Sequence, residues 1–215
     1  MTNCDFKTTL IAYLSSKADS GSALLVHHAS ADRAPLTDII RHRNKTYAEH
    51  GLNYLIAGLG DLDGTPDPID LRSEHVWVVE DGLIVASLRM TAHPFEIGDV
   101  IQLLPALNKV GQGHIEFGRL AISSRNPIAF EQLMATACLY GISHRYTGIV
   151  GMCRAVQKRL FERFGLTTVT NEPFLVPARN NGTYWVMETD WNRLSIALSR
   201  KYSIKNPQSE ALHIA

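Results

Sequence analysis

The chain has 215 residues, 45% of them hydrophobic and 20% charged, with 21 Lys+Arg against 21 Asp+Glu. The apolar share is enough for a core and excludes a disordered chain. Zero net charge removes the electrostatic motive for a general nucleic-acid binder or a polybasic membrane-surface protein. No apolar run approaches the roughly 18 residues that span a bilayer. Asp5 and Lys7 interrupt the weak apolar stretch at the N-terminus, which is therefore not a secretory signal. Cys4, Cys138 and Cys153 are too widely spaced for a disulfide framework or a zinc ribbon. The expectation is a cytoplasmic α/β protein, without a transmembrane segment, folding as one domain over residues 1–215.

In chain order, residues 4–18 read as a short helix within an N-terminal extension of about 20 residues, and Ala23–Ala29 as a first strand. A longer helix follows, from Thr37 as N-cap to a stop at His50-Gly51. Residues 57–70 are turn chemistry, rich in Gly, Pro and Asp. His75–Glu80 and Leu83–Thr91 flank Asp81-Gly82, a two-residue hairpin signal. Residues 93–112 form a connecting excursion, and His114–Ser123 the next strand. Pro127 suits the first turn of a helix reaching about His144. Tyr146–Val150 is a short strand, Arg154–Phe164 a helix stopped by Gly165, and Leu166–Asn171 and Thr183–Thr189 are late strands. A terminal helix from Asp190 ends in a polar tail over 202–215. This order fits a mixed sheet with helices on its faces, and in topology it resembles the GNAT acyltransferase fold.

The most informative stretch is His114-Ile-Glu116-Phe117-Gly118-Arg119-Leu-Ala-Ile122. In a regular strand, residues three apart point to opposite faces, so Glu116 and Arg119 cannot share a site. A bulge near Phe117-Gly118 slips the register and brings them together, and it leaves a backbone N–H free for a developing oxyanion. The alternative is a structural ion pair beside a tolerated glycine. In the long helix, Ile39, Arg43 and Tyr47 recur every four residues on one face. An arginine in that stripe either needs a partner or snorkels to water from its edge. Ser87 and Arg89 share one face of their strand, opposite Ile84, Ala86, Leu88 and Met90. Asp67 and Asp70 stand near one turn, as a pair able to bind a cation or as solvated turn formers.

Taken together, R-x3-[YF] in a helix, D-x-x-D before the second strand, an Arg in the third strand and E-x-x-R in the fourth occur in that order. This resembles the N-acyl-homoserine lactone synthases (the LuxI-type autoinducer synthases) and the related long-chain N-acyl amino acid synthases, over about residues 23 to 168. The matching positions are Arg43, Tyr47, Asp67, Asp70, Arg89, Glu116 and Arg119, and the segment Arg89-Met-Thr-Ala-His-Pro-Phe-Glu-Ile also looks like the family's. Where lactone synthases usually carry a tryptophan after the first helix, this chain has Gly51-Leu-Asn-Tyr54. Their R-L-L-P-T is here Arg89-Met-Thr-Ala-His.

The resemblance implies an N-acyltransferase that takes a fatty acyl group from acyl carrier protein or CoA to the α-amine of S-adenosylmethionine or a free amino acid, with no permanently bound cofactor. Glu116, Phe117, Gly118 and Arg119 become the catalytic candidates, and Arg43, Tyr47, Asp67, Asp70 and Arg89 the substrate-binding ones. The glycine-rich pyrophosphate loop of acetyl-CoA-dependent GNAT enzymes is missing, since Ser123-Ser-Arg-Asn-Pro127 has no glycine. Acetyl transfer to a small amine or protein and a non-catalytic acyl-binding module remain the alternatives. Arg154, Lys158, Arg159 and Arg163 make a basic helix face, either solvated or a dock for acidic acyl carrier protein. His27-His28 falls on opposite strand faces and cannot chelate one ion. No H-E-x-x-H or comparable metal spacing is present. Cys138 reads as a core residue, and Cys153 as a thiol near a helix start whose pKa that position could lower.

Overall fold

The computed structural model describes residues 8, 12, 24–56, 64–98, 111, 113–176 and 182–202. Thr8 and Ala12 are helical, and the rest of the expected 4–18 helix lies outside the described residues, as do 57–63, most of 99–112 and the tail from 203.

The architecture grows from the Asp81-Gly82 turn. Both residues have positive φ, 51° and 78°, the requirement of the tight hairpin turn whose twist matches its strands. The turn joins β2 (Glu74–Glu80) to β3 (Leu83–Thr91). β1 (Leu25–Ser30) adds on one side, and on the other β4 (Ile115–Ile122) pairs with β3. Among the described residues, the single parallel pairing is that of β4 with β5 (Gly148–Arg154). Beyond β5 come β8 (Gly182–Asp190), β6 (Thr167–Thr168) and β7 (Phe174–Val176), giving the order β1-β2-β3-β4-β5-β8-β6 with β7 also on β8.

Among the described residues, four helices flank this sheet. α1 (Leu36–Glu49) lies over β3 and β4, and α2 (Pro127–Ser143) crosses β1 to β5. α3 (Ala155–Arg163) follows β5, and α4 (Trp191–Tyr202) follows β8. The main core lies between α2 and the sheet, where Leu133, Met134, Ala137 and Cys138 meet Val76, Val78, Ala86, Leu88 and Met90. Among the described residues, no helix is long and apolar enough to cross a membrane.

Several boundaries differ from the sequence expectation. α1 starts at Leu36 behind Pro35, and no side chain caps it, so Thr37 lies inside the first turn. β5 runs on to Arg154 because its whole length pairs with β8, from Gly148↔Asp190 to Arg154↔Tyr184. Cys153 therefore sits in a strand beside Met187, and burial pushes its thiol up to about 12 instead of lowering it. The strand expected over Leu166–Asn171 shrinks to two residues, and Phe174–Val176 forms a separate strand.

Candidate active site

Two strands that begin side by side and then part create the site. β4 and β5 pair at Ile115↔Ile149, Glu116↔Val150 and Phe117↔Gly151, and no further. Beyond that rung β4 stays with β3 as far as Ala86↔Ile122, while β5 stays with β8 to Arg154. The cause is a bulge in β4. Ser87 faces Ala121 and Arg89 faces Gly118, so Leu88 alone opposes both Arg119 and Leu120. The extra residue bends the strand away from its parallel neighbour.

The bulge lies one to two residues beyond the expected Phe117-Gly118. Arg119, not a glycine, takes the left-handed backbone, with φ 54°, a conformation that costs a non-glycine residue about 1–2 kcal/mol. Two side-chain contacts hold it there: Arg119 Nη2 lies 2.6 Å from Glu96 Oε1, and Arg119 Nη1 donates to the Leu55 carbonyl at 3.2 Å.

The opening between the strands is a cavity of about 330 Å³. Tyr47, Glu96, Glu116, Phe117, Gly118 and Arg119 line its inner end. Leu52, Leu55, Leu120, Val156, Leu160 and Phe161 supply an apolar wall, and Arg154, Gln157 and Tyr184 also border it. The Tyr54 hydroxyl meets that of Tyr184 at 3.2 Å, tying the segment after α1 to β8.

Behind the inner end lies a buried ionic cluster. Arg43 donates through both terminal nitrogens to Asp70, at 2.9 and 2.8 Å. Arg89 Nη1 reaches Asp70 Oδ1 at 2.8 Å and both Asp67 oxygens at 3.1 Å, while its Nη2 reaches Glu96 Oε2 at 2.5 Å. Asp67 and Asp70 cap each other's backbone through Asp70 N to Asp67 Oδ1 and Asp67 N to Asp70 Oδ2. His75 Nε2 hydrogen-bonds the Asp70 carbonyl oxygen at 3.0 Å; burial lowers its pKa. Arg43 is therefore buried with a bidentate partner and does not snorkel to water. Arg43, Asp67, Asp70 and Arg89 brace the cavity from behind, whereas Tyr47 and Glu116 through Arg119 form part of its wall.

The electrostatics follow from this burial. Burial alone would raise the Asp70 carboxyl, but the hydrogen bonds and charge of Arg43, joined by Arg89, hold it well below the usual carboxylate range. Burial disfavours the charged form of Arg89, and the carboxylates of Glu96, Asp70 and Asp67 outweigh it and raise the guanidinium. Glu116 behaves oppositely. Burial, then the charge of Glu96, push it up to about 7, against the pull of the Glu96 and Ile97 main-chain N–H groups and of Arg89. Burial also raises the Tyr47 phenol.

Glu96 is the member that motif reading missed. It sits in the quoted segment after Arg89, but the matched motif already balances three arginines against Asp67, Asp70 and Glu116, so no charge deficit announces a further acid. Its neighbours Phe95 and Ile97 bury against Val150 and Val186. Arg72 holds the same segment by donating to the carbonyls of Ala92 and Pro94.

The loop after β4 and the start of α2 leave little open for a phosphate. Pro127 has no N–H, Ile128 N donates to the Asn126 side chain at 3.0 Å, and Ala129 N donates to the Asn126 carbonyl at 3.1 Å.

No protein-family model matches the chain, and no curated protein matches it by sequence. Solved structures do match in shape. The AHL synthase LasI superposes with a TM-score of 0.65 at 17% identity, covering 83% of this chain and 95% of its own. The CoA-dependent acyl-homoserine lactone synthase BjaI, in its structure with SAM and isopentyl-CoA, gives 0.62 at 18%, covering 85% and 91%. FeeM, an N-acyl amino acid synthase from uncultured soil microbes, gives 0.58 at 10%, covering 79% and 92%. The chain has the GNAT acyltransferase fold that these synthases share.

Proposed function

We propose that the protein is an N-acyltransferase that moves a fatty acyl group from a carrier-protein or CoA thioester to the α-amine of an amino-acid-type acceptor. The observation that carries this reading is the parting of β4 from β5 directly beyond Phe117, with Glu116 at its inner end and an apolar wall beyond. The arm that presents a thioester is long, narrow and studded with amides. It suits a cleft between two strands whose facing main-chain groups have no ladder partner.

The chemistry asks little of the protein beyond placement. An α-amino group of pKa about 8 is roughly 10% neutral at pH 7, so its deprotonation costs only about 1.4 kcal/mol. Glu116, poised near neutrality, receives the proton directly or through one water. The nitrogen bonds to the thioester carbon, the main chain at the bulge binds the resulting oxyanion, and the carbon–sulfur bond breaks as the thiolate takes up a proton. Phe117 and Gly118 shape that point, and Arg119 fixes the bulge. Asp67 and Asp70 serve the site through Arg43 and Arg89, whose charges they hold in place.

The occupied N-terminus of α2 favours a carrier-protein donor over one anchored by a pyrophosphate. Arg154 borders the cleft and Arg159 is exposed on α3, so both suit an acidic carrier. Lys158 joins them from a position over the Trp185 ring, 4.1 Å from its centre. S-adenosylmethionine, the ligand in the BjaI structure, and free amino acids are the acceptors proposed.

Mass spectrometry of lipid extracts from a bacterial host expressing the wild-type chain, beside a Glu116→Gln control, tests the reading. An N-acyl homoserine lactone or N-acyl amino acid found only with wild type supports it and identifies acceptor and tail. Absence of any such product, with acetylated small amines in its place, overturns it.

A further inference from the structure

Three guanidinium groups, on Arg43, Arg89 and Arg119, meet three carboxylates, on Asp67, Asp70 and Glu96, in ion pairs of 2.5 to 3.1 Å. Glu96 is the link between the two ends of this set. Its Oε2 holds Arg89, its Oε1 holds Arg119, and its main-chain N–H donates to Glu116 Oε2 at 2.5 Å. Glu116 is the fourth carboxylate, 2% exposed, and it accepts main-chain N–H groups with no ion pair to another described residue. Gly118 lies beside both acids: a Cβ there would be in ordinary contact with them, 3.4 Å from Glu96 Oε2 and 3.9 Å from Glu116 Oε1. The charges that act on Glu116 are those of Glu96 and of Arg89 from β3, and Tyr47 and His50 from α1 and its end, Arg119 on β4 itself and Arg154 from β5 line the same cavity. The β5 residue opposite is Val150.

We propose that Glu96 is the positioning residue of this centre, consuming the charge of Arg89 and Arg119 so that Glu116 has no cation to satisfy and stays available to accept a proton. Without Glu96, two buried guanidinium groups would lose a carboxylate, and Glu116 would be drawn in as their ionised partner. The same carboxylate fixes the bulge through Arg119, so one side chain sets both the shape of the cleft and the protonation of its acid. As a catalytic statement this rests on the acyltransferase reading. As a statement about charge it does not, and the test reads charge.

The experiment is a carbon-13 titration of the glutamate carboxyl signals in the full-length chain, with Glu116 assigned by its loss in Glu116→Gln. In wild type, Glu96 stays charged through the range in which Glu116 titrates. In Glu96→Gln the Glu116 midpoint falls by about one pH unit or more, and Glu96→Asp, which keeps the charge, restores it towards the wild-type position. An unchanged midpoint in a folded Glu96→Gln protein overturns the proposal, as does an Asp variant that falls with the Gln variant. Should Glu96→Gln fail to fold, the wild-type order of titration decides alone: Glu96 taking up its proton at the pH where Glu116 is already charged contradicts the proposal. Loss of acyl transfer in every assay, with these midpoints as stated, removes the function and leaves the role of Glu96 standing.

Discussion

Gly151 faces Phe117 across the last paired rung of β4 and β5, and a methyl group at Gly151 would stand 2.7 Å from the Phe117 carbonyl oxygen. The last rung before the strands part thus has no room for a side chain at Gly151. Gly151→Ala must push that rung open, at a cost of about 1–3 kcal/mol for overpacking. Urea unfolding will show this as a lower midpoint with an unchanged slope. A variant as stable as wild type would mean that the rung has slack.

The buried cluster predicts a sharp contrast between two aspartates. Asp70→Asn keeps the shape but leaves Arg43 and Arg89 short of a carboxylate inside the protein, a change that destabilises by about 3–5 kcal/mol. Asp38→Asn removes an exposed partner of Arg41 at 3.6 Å and changes stability by about 0.5 kcal/mol or less. Thermal or urea unfolding of the two variants side by side measures the difference, and equal effects would contradict the placement of Asp70.

Glu116 makes stability depend on pH in a definite direction. Its carboxyl ionises near the ordinary 4.5 when unfolded and near 7 when folded, so the folded chain holds the extra proton between those values. Its contribution to stability declines as pH rises from 4.5 to 7 and is constant above that. The total is on the order of 3 kcal/mol. Glu116→Gln should therefore match wild type near pH 5 and exceed it at pH 8. A stability difference that is flat between those pH values would show that the group titrates normally.

The parts legible in the sequence were those that local chemistry determines. Asp81-Gly82 forces a hairpin because both positions need positive φ, and the spacing of Ile39, Arg43 and Tyr47 aligns an arginine with an apolar stripe, while only its meeting with Asp70 makes it buried and not at a wet edge. The E-x-x-R pattern of Glu116 and Arg119 beside Gly118 points to a bulge in β4, and β4 has one. The bulge itself was misplaced because glycine is the usual marker, whereas here Arg119 takes the left-handed backbone and long-range contacts to Glu96 and Leu55 hold it. The sequence reading ends β5 at Val150, and only its pairing with β8 carries it on to Arg154. Glu96 was invisible because its partners come from β3 and the far side of the bulge in β4, and no local spacing encodes that meeting.

In the proposed function, the cleft between β4 and β5 carries amine acylation with Glu116 as base. The most direct measurement is the amine-dependent release of free thiol from an acyl-carrier-protein thioester by the purified chain, with the N-acyl product followed by mass spectrometry, for wild type and Glu116→Gln from pH 6 to 9. Turnover is expected to rise through about pH 7 in wild type and to fall by about 10²–10⁴-fold in the variant. Equal rates for the two proteins, or thiol release without an N-acyl product, would contradict it.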